Sequence, residues 1–156
     1  MEKRAASRPI SVAFMLNAIS HSSLFVLDQD DALDFYVGKL GMEVSADVDM
    51  GFMRWLTVNV PGDDRHVLLE KPGPPGMDDA AAEQVRDLLT KGGTGLGFIL
   101  TTDDCRATYE ELRAKGVEFN EEPTERFYGV DCGFRDPFGN HIRLTQPAEG
   151  PIEYPG

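Results

Sequence analysis

Two stretches of the chain repeat the same order of residue types, and a repeated unit restricts the fold more than any composition does. The first runs from His21-Ser22-Ser23-Leu24-Phe25-Val26-Leu27-Asp28 through Asp30-Asp31-Ala32-Leu33-Asp34-Phe35-Tyr36 to Leu40-Gly41-Met42-Glu43-Val44. The second runs from Gly97-Phe98-Ile99-Leu100-Thr101-Thr102-Asp103-Asp104 through Arg106-Ala107-Thr108-Tyr109-Glu110-Glu111-Leu112 to Lys115-Gly116-Val117-Glu118-Phe119. In each, a β-rich run meets an aspartate able to accept from the first helical amides, Asp28 in one and Asp103 or Asp104 in the other. A glycine, Gly41 or Gly116, then follows where a helix ends.

Three strands are predicted after each helix. In the first unit they fall near 44–48, 53–60 and 66–70, with Pro61-Gly62-Asp63-Asp64 as a hairpin turn. In the second they fall near 117–120, 129–135 and 141–146, with Asp136-Pro137-Phe138-Gly139-Asn140 as the turn. The expected fold is therefore α+β, two βαβββ units with curved mixed sheets around a cavity. The expected layout is a flexible N-terminal arm at 1–18, one domain at 19–147 and a tail at 148–156 wandering over the surface. Within the domain, unit one spans 19–71 and unit two spans 94–147. The linker between them, 72–93, starts with Pro72-Gly73-Pro74-Pro75-Gly76 and carries an inserted helix around Ala80 to Leu89.

At 156 residues such a domain buries a sizeable core without cross-links. Cys105 and Cys132 are the two cysteines, read as free thiols of a reducing compartment. Lys3, Arg4 and Arg8 before Ile10 to Leu16 resemble a short export signal. Pro9, Ser11 and Asn17 break that apolar run and no small-residue cleavage site follows, so a cytoplasmic protein is expected. A membrane is excluded as a partner because no segment approaches the ~20 apolar residues needed to cross one. Nucleic acid is excluded by a net charge of −12 without a compensating basic stripe.

Strand alternation sorts the side chains into two faces. Leu24, Val26, Leu56, Val58, Val60, Val67, Leu69, Ile142 and Leu144 should pack on helices. His21, Ser23, Phe25, Trp55, Thr57, Asn59, His66, Leu68, Glu70, His141 and Arg143 should face the concave side. A concave face with aromatic, polar and ionisable groups suits a small molecule. Trp55, Phe127, Tyr128 and Phe25 are candidate walls, Arg143, Ser23 and Asn59 candidate polar contacts.

The runs His21 to Tyr36 and Asp136-Pro137-Phe138-Gly139-Asn140-His141-Ile142-Arg143-Leu144 resemble the vicinal oxygen chelate superfamily, which includes glyoxalase I, extradiol dioxygenases and the bleomycin- and fosfomycin-resistance proteins. The resemblance covers about residues 19–147. It implies a divalent metal, Zn, Ni, Fe or Mn, held by His or Gln on the first strand and Glu on the last strand of each unit. Those places correspond to His21 and Glu70, then Gly97 and Arg143, so only the first pair keeps its ligands. One imidazole and one carboxylate fall short of the three protein ligands such a site needs, and a permanent cation at Arg143 repels a divalent ion. No metal cofactor is expected. His66 or His141 would have to join His21 and Glu70 if one bound.

Two functions follow from the resemblance. One is a small-molecule-binding protein similar to the bleomycin-resistance branch, with Arg143 pairing with Glu70 or gripping an anionic group of the ligand. The other is a metal-dependent lyase, isomerase or dioxygenase in which Glu70 or His21 moves a proton. Whether the chain is an enzyme stays open at this point. The resemblance also implies a homodimer.

Overall fold

The computed structural model describes residues 15–156, so the expected arm at 1–18 lies mostly outside the described residues. Unit one contains β1 (His21–Phe25), α1 (Gln29–Tyr36), β2 (Glu43–Asp49), β3 (Arg54–Asn59) and β4 (His66–Glu70). A connecting helix α2 (Asp79–Thr90) follows. Unit two contains β5 (Leu96–Thr101), α3 (Cys105–Ala114), β6 (Phe119–Arg126), β7 (Gly129–Arg135) and β8 (His141–Pro147). Each unit forms one four-stranded sheet, ordered β1-β4-β3-β2 and β5-β8-β7-β6. The first strand of each runs parallel to the last, and the other pairs are antiparallel.

Local chemistry accounts for the element ends. The carboxylates of Asp28, Asp78 and Asp104 accept from the amides of Asp31, Ala81 and Ala107 at 2.8, 2.8 and 3.0 Å, satisfying amides that the helices leave without partners. Of the two aspartates open in unit two, Asp104 is the cap. Strand β6 runs six residues past the predicted limit of Asn120, to Arg126. Its charged run alternates on an outer strand, where a polar face meets water without a burial cost. Phe127 and Tyr128 form the β6–β7 turn.

The two units share a single core. Leu24, Val26, Phe35, Tyr36, Leu56, Val58 and Leu69 of unit one pack with Cys105, Leu112, Cys132, Phe134, Ile142 and Leu144 of unit two. Val60 departs from the prediction: it lies beyond β3 in the hairpin and is 39% exposed. The rings of Phe35 and Phe134 lie 6.1 Å apart, and Tyr36 and Phe98 are equally close at 6.1 Å. Helix-facing sides of both sheets thus look toward one interior. Their other faces look away from it.

The Asp136 to Asn140 turn fastens this arrangement. One carboxylate oxygen of Asp136 accepts from the amides of Phe138, Gly139 and Asn140 at 2.9, 3.0 and 2.9 Å. The other accepts from the Tyr36 hydroxyl at 2.6 Å and the Asn140 side-chain amide at 2.7 Å. The same Asn140 amide donates to the Phe25 carbonyl of unit one at 2.8 Å. Burial first, then the Asp136 charge, holds the Tyr36 hydroxyl far above the usual phenol range, so it remains a donor. Gly139 has φ +120°, and a Cβ there would strike the Leu89 carbonyl of α2. The motif that carries the resemblance is thus a structural lock between units.

Candidate functional site

On the outer face of the first sheet, parallel pairing of β1 and β4 sets His21 beside His66. Their rings stack at 4.9 Å, and His21 also meets Trp55 at 5.9 Å. Nδ1 of His66 shares a 2.9 Å hydrogen bond with the Ser45 hydroxyl, which lies 2.7 Å from the Thr57 hydroxyl. Ser45 lies where the β2–β3 register slips, between Val44 and Ala46. A short chain of hydroxyls therefore orients His66, which orients His21 against Trp55. Ser23 lies between these residues and Phe25, while the Phe25 ring packs partly on the core.

Two expected members of this face are elsewhere. Asn59 is buried, and its amide donates to the carbonyls of Val60 and Asp63, both at 3.1 Å, which closes the β3–β4 hairpin. Glu70 pairs with Phe25, four residues along the ladder from His21. That offset is about 13 Å of strand.

The outer face of the second sheet is built around Arg143. Its Nη2 donates to Glu121 at 2.5 Å and to Asp131, and Glu121 also accepts from Arg126 at 2.7 Å. Asp131 further accepts from the hydroxyls of Tyr128 at 2.8 Å and Thr145 at 3.0 Å. The guanidinium passes close to Gly133, where an added Cβ would stand 2.7 Å from Nη1. Burial would raise the Asp131 carboxyl, but the hydrogen bonds from Arg143, Tyr128 and Thr145 outweigh it and hold the carboxyl below its ordinary value. Burial and the bond to Asp131 push the Tyr128 phenol up. Arg143 does not pair with Glu70, and two carboxylates already neutralise it, so it makes a poor grip for an anion.

A groove of about 640 Å³ runs between the β3–β4 hairpin and β5, lined by Met42, Val60, His66, Phe98 and Ile99 among others. Neither Trp55 nor Arg143 lines it. Trp55 is half-buried on the first sheet and Arg143 half-buried on the second.

Within one chain the donors among the described residues do not fit a divalent metal. Register makes Leu68, which faces Ser23, the counterpart of Arg143, which faces Ile99; Glu70 corresponds instead to Thr145. The family's last-strand carboxylate is therefore missing from both units, a correction to the reading that kept His21 and Glu70 as a pair. At Gly97 a Cβ would point into Leu24 and Ile142, at 2.9 and 3.4 Å, so that place is turned toward the core. The β5 register slips there, between Leu96 and Phe98. His141 bonds the Gly92 carbonyl at 2.9 Å, leaving only His66 beside His21. Among the described residues no group of three or more His, Cys, Asp or Glu could hold a metal ion.

Asp131, Glu121 and Ser45 entered this picture only with the fold. Asp131 had a signal in the sequence, an acid between Val130 and Cys132 in a strand that buries most of its middle residues. The other two carried none.

Residues 18–144 match the family profile described as the Glyoxalase/Bleomycin resistance protein/Dioxygenase superfamily, and the chain belongs to that family. The Bacillus subtilis (strain 168) protein YurT, itself uncharacterised, is 37% identical over 127 residues, which is 80% of this chain and 95% of that protein. The crystal structure of UcmS2 superposes with a TM-score of 0.79 at 42% identity, covering 85% of this chain and 99% of UcmS2. TnmS3, an antibiotic binding protein from Streptomyces sp. CB03234, superposes with a TM-score of 0.70 at 30% identity, covering 86% and 99% of the two chains. No helix among the described residues is long and apolar enough to cross a membrane.

Proposed function

We propose that this protein binds an aromatic small molecule and holds it without chemical change, in a site made by the Trp55 face of one copy and the Arg143 face of a second. The observation that carries this reading is the self-neutralised Arg143 cluster, which takes the place where a catalytic metal would need a carboxylate. A proton-transfer enzyme needs an electrophile to stabilise the developing anion. Arg143 is poorly suited to that role because Glu121 and Asp131 already hold its charge. The remaining groups, Trp55, His21, Phe127 and Tyr128, are flat rings suited to stacking. The antibiotic-binding description of TnmS3 supports the same reading.

Pairing of copies is favoured by the outward direction of both faces. It is also favoured by the open edges at β1 and β5, where Leu96 and Ile99 are more than half exposed. Homodimers of this kind bring two open faces together about a twofold axis. The buried thiols of Cys105 and Cys132, 3.6 Å apart and unjoined, suit the cytoplasm.

The test is equilibrium dialysis of chelator-treated protein against bleomycin, an anthracycline and a fluoroquinolone, followed by mass analysis of the retained compound. Retention of at least one at near one per site, recovered at unchanged mass, is the expected result. Conversion of the compound, or retention that disappears with the chelator, overturns the proposal. Retention of none does so as well.

A further inference from the structure

The C-terminal tail runs over the surface beside the β6–β7 turn. After β8 the Ala148 amide donates to the Tyr128 carbonyl at 2.9 Å, which turns the tail back over the β6–β7 turn. Tyr154 then lies against Phe127, ring centroids 5.6 Å apart and planes at 63°. Phe127 in turn meets Tyr128 at 5.1 Å and 89°. Rings at such angles do not stack into a block. Phe127 and Tyr154 are 49% and 76% exposed, a large open aromatic surface at a place tied to the candidate site through the Tyr128–Asp131 hydrogen bond.

Charge decides what such rings can hold. Glu121 and Asp131 are balanced by Arg126 and Arg143, and the adjoining tail adds two acids to the sequence here, Glu149 and Glu153. The whole chain carries −12, so the field over this face favours a cation. Aromatic faces attract cations through the ring quadrupole. We infer that Phe127, Tyr128 and the tail residue Tyr154 form an aromatic cage that receives an ammonium or other organic cation of the ligand. The inference rests on the small-molecule reading above and adds to it the charge class of the ligand and a contact from the tail.

The test uses benzyltrimethylammonium and benzenesulfonate, aromatic probes of opposite charge, followed by calorimetry and by the proton resonances of the probes. The ammonium is expected to bind about tenfold more tightly than the sulfonate, with its N-methyl resonance shifted upfield by the surrounding rings. Tyr154→Ala should weaken that binding about tenfold and abolish the shift, and Tyr154→Phe should keep both. Because Tyr154 is largely exposed, its removal leaves the core intact. Equal affinity for the two probes overturns the charge assignment, and an unaltered Tyr154→Ala variant overturns the role of the tail. If neither probe binds while an antibiotic is retained in dialysis, the cage fails and the sequestration reading stands. If the ammonium binds and no antibiotic is retained, the cage stands and sequestration fails.

Discussion

Replacing Asp136 with alanine is expected to lower the unfolding free energy by about 4 kcal/mol, since each buried donor left without a partner costs about 1–3 kcal/mol. Three turn amides, the Tyr36 hydroxyl and the Asn140 side chain all donate to this one carboxylate. Water that enters the gap can satisfy some of them, which is why the expected cost is less than the sum. Asp136→Asn should also be strongly destabilising, because it turns an NH2 group toward one set of donors. Tyr36→Phe, which removes only one of these bonds, should cost about 1–2 kcal/mol. Urea unfolding followed by circular dichroism measures all three. A loss below about 1 kcal/mol for Asp136→Ala would show that the turn is not the lock between the units.

Arg143→Gln is the second large effect, and its signature is in the pH dependence. Glutamine removes the cation beside Asp131 and leaves that carboxylate, whose side chain is 2% exposed, with the Tyr128 and Thr145 hydroxyls. Breaking a buried pair costs about 3–5 kcal/mol, and about 2 kcal/mol is expected here because 30% of the Arg143 side chain reaches water. In the native protein the Asp131 pKa is depressed on folding. Its contribution to stability is therefore complete above the unfolded aspartate value, about 3.9, and is lost as the pH falls through the lower folded value. Without Arg143 burial dominates and the folded pKa rises. Acid unfolding of Arg143→Gln should consequently begin at a higher pH than in the native chain. Adding Asp131→Asn should return part of the lost stability, since the two residues are coupled. An acid-unfolding midpoint that does not move would show that Arg143 and Asp131 are independent.

Much of the fold was legible in the sequence because its signals are local. The two copies could be aligned on their capping aspartates and on Gly41 and Gly116, and periodicity separated Leu24, Val26, Leu56, Val58, Ile142 and Leu144 from the outer residues. The site was less legible because its contacts depend on register and on how the units meet. Glu70 and Arg143 look equivalent as charged residues on last strands, yet pairing with Phe25 and Ile99 sets them one alternation apart. Gly97 looks like a lost ligand position, but the β5 bulge turns it toward Leu24. Packing of both units on one core could not be read from either unit alone. The cluster around Asp131 depends on three strands and a turn that lie far apart in the chain.

Mixing two defective variants tests most directly whether the binding site is shared between copies. Trp55→Ala impairs the sheet-one face and Phe127→Ala the sheet-two face, and each alone should bind the antibiotic retained in dialysis poorly. After subunit exchange at equal concentrations, half of the dimers combine the two variants, and each of these has one site with both faces native. Binding should then return to about a quarter of the native site count. If the mixture binds no better than the two variants apart, while sedimentation shows that their subunits have exchanged, the site is not assembled from two copies.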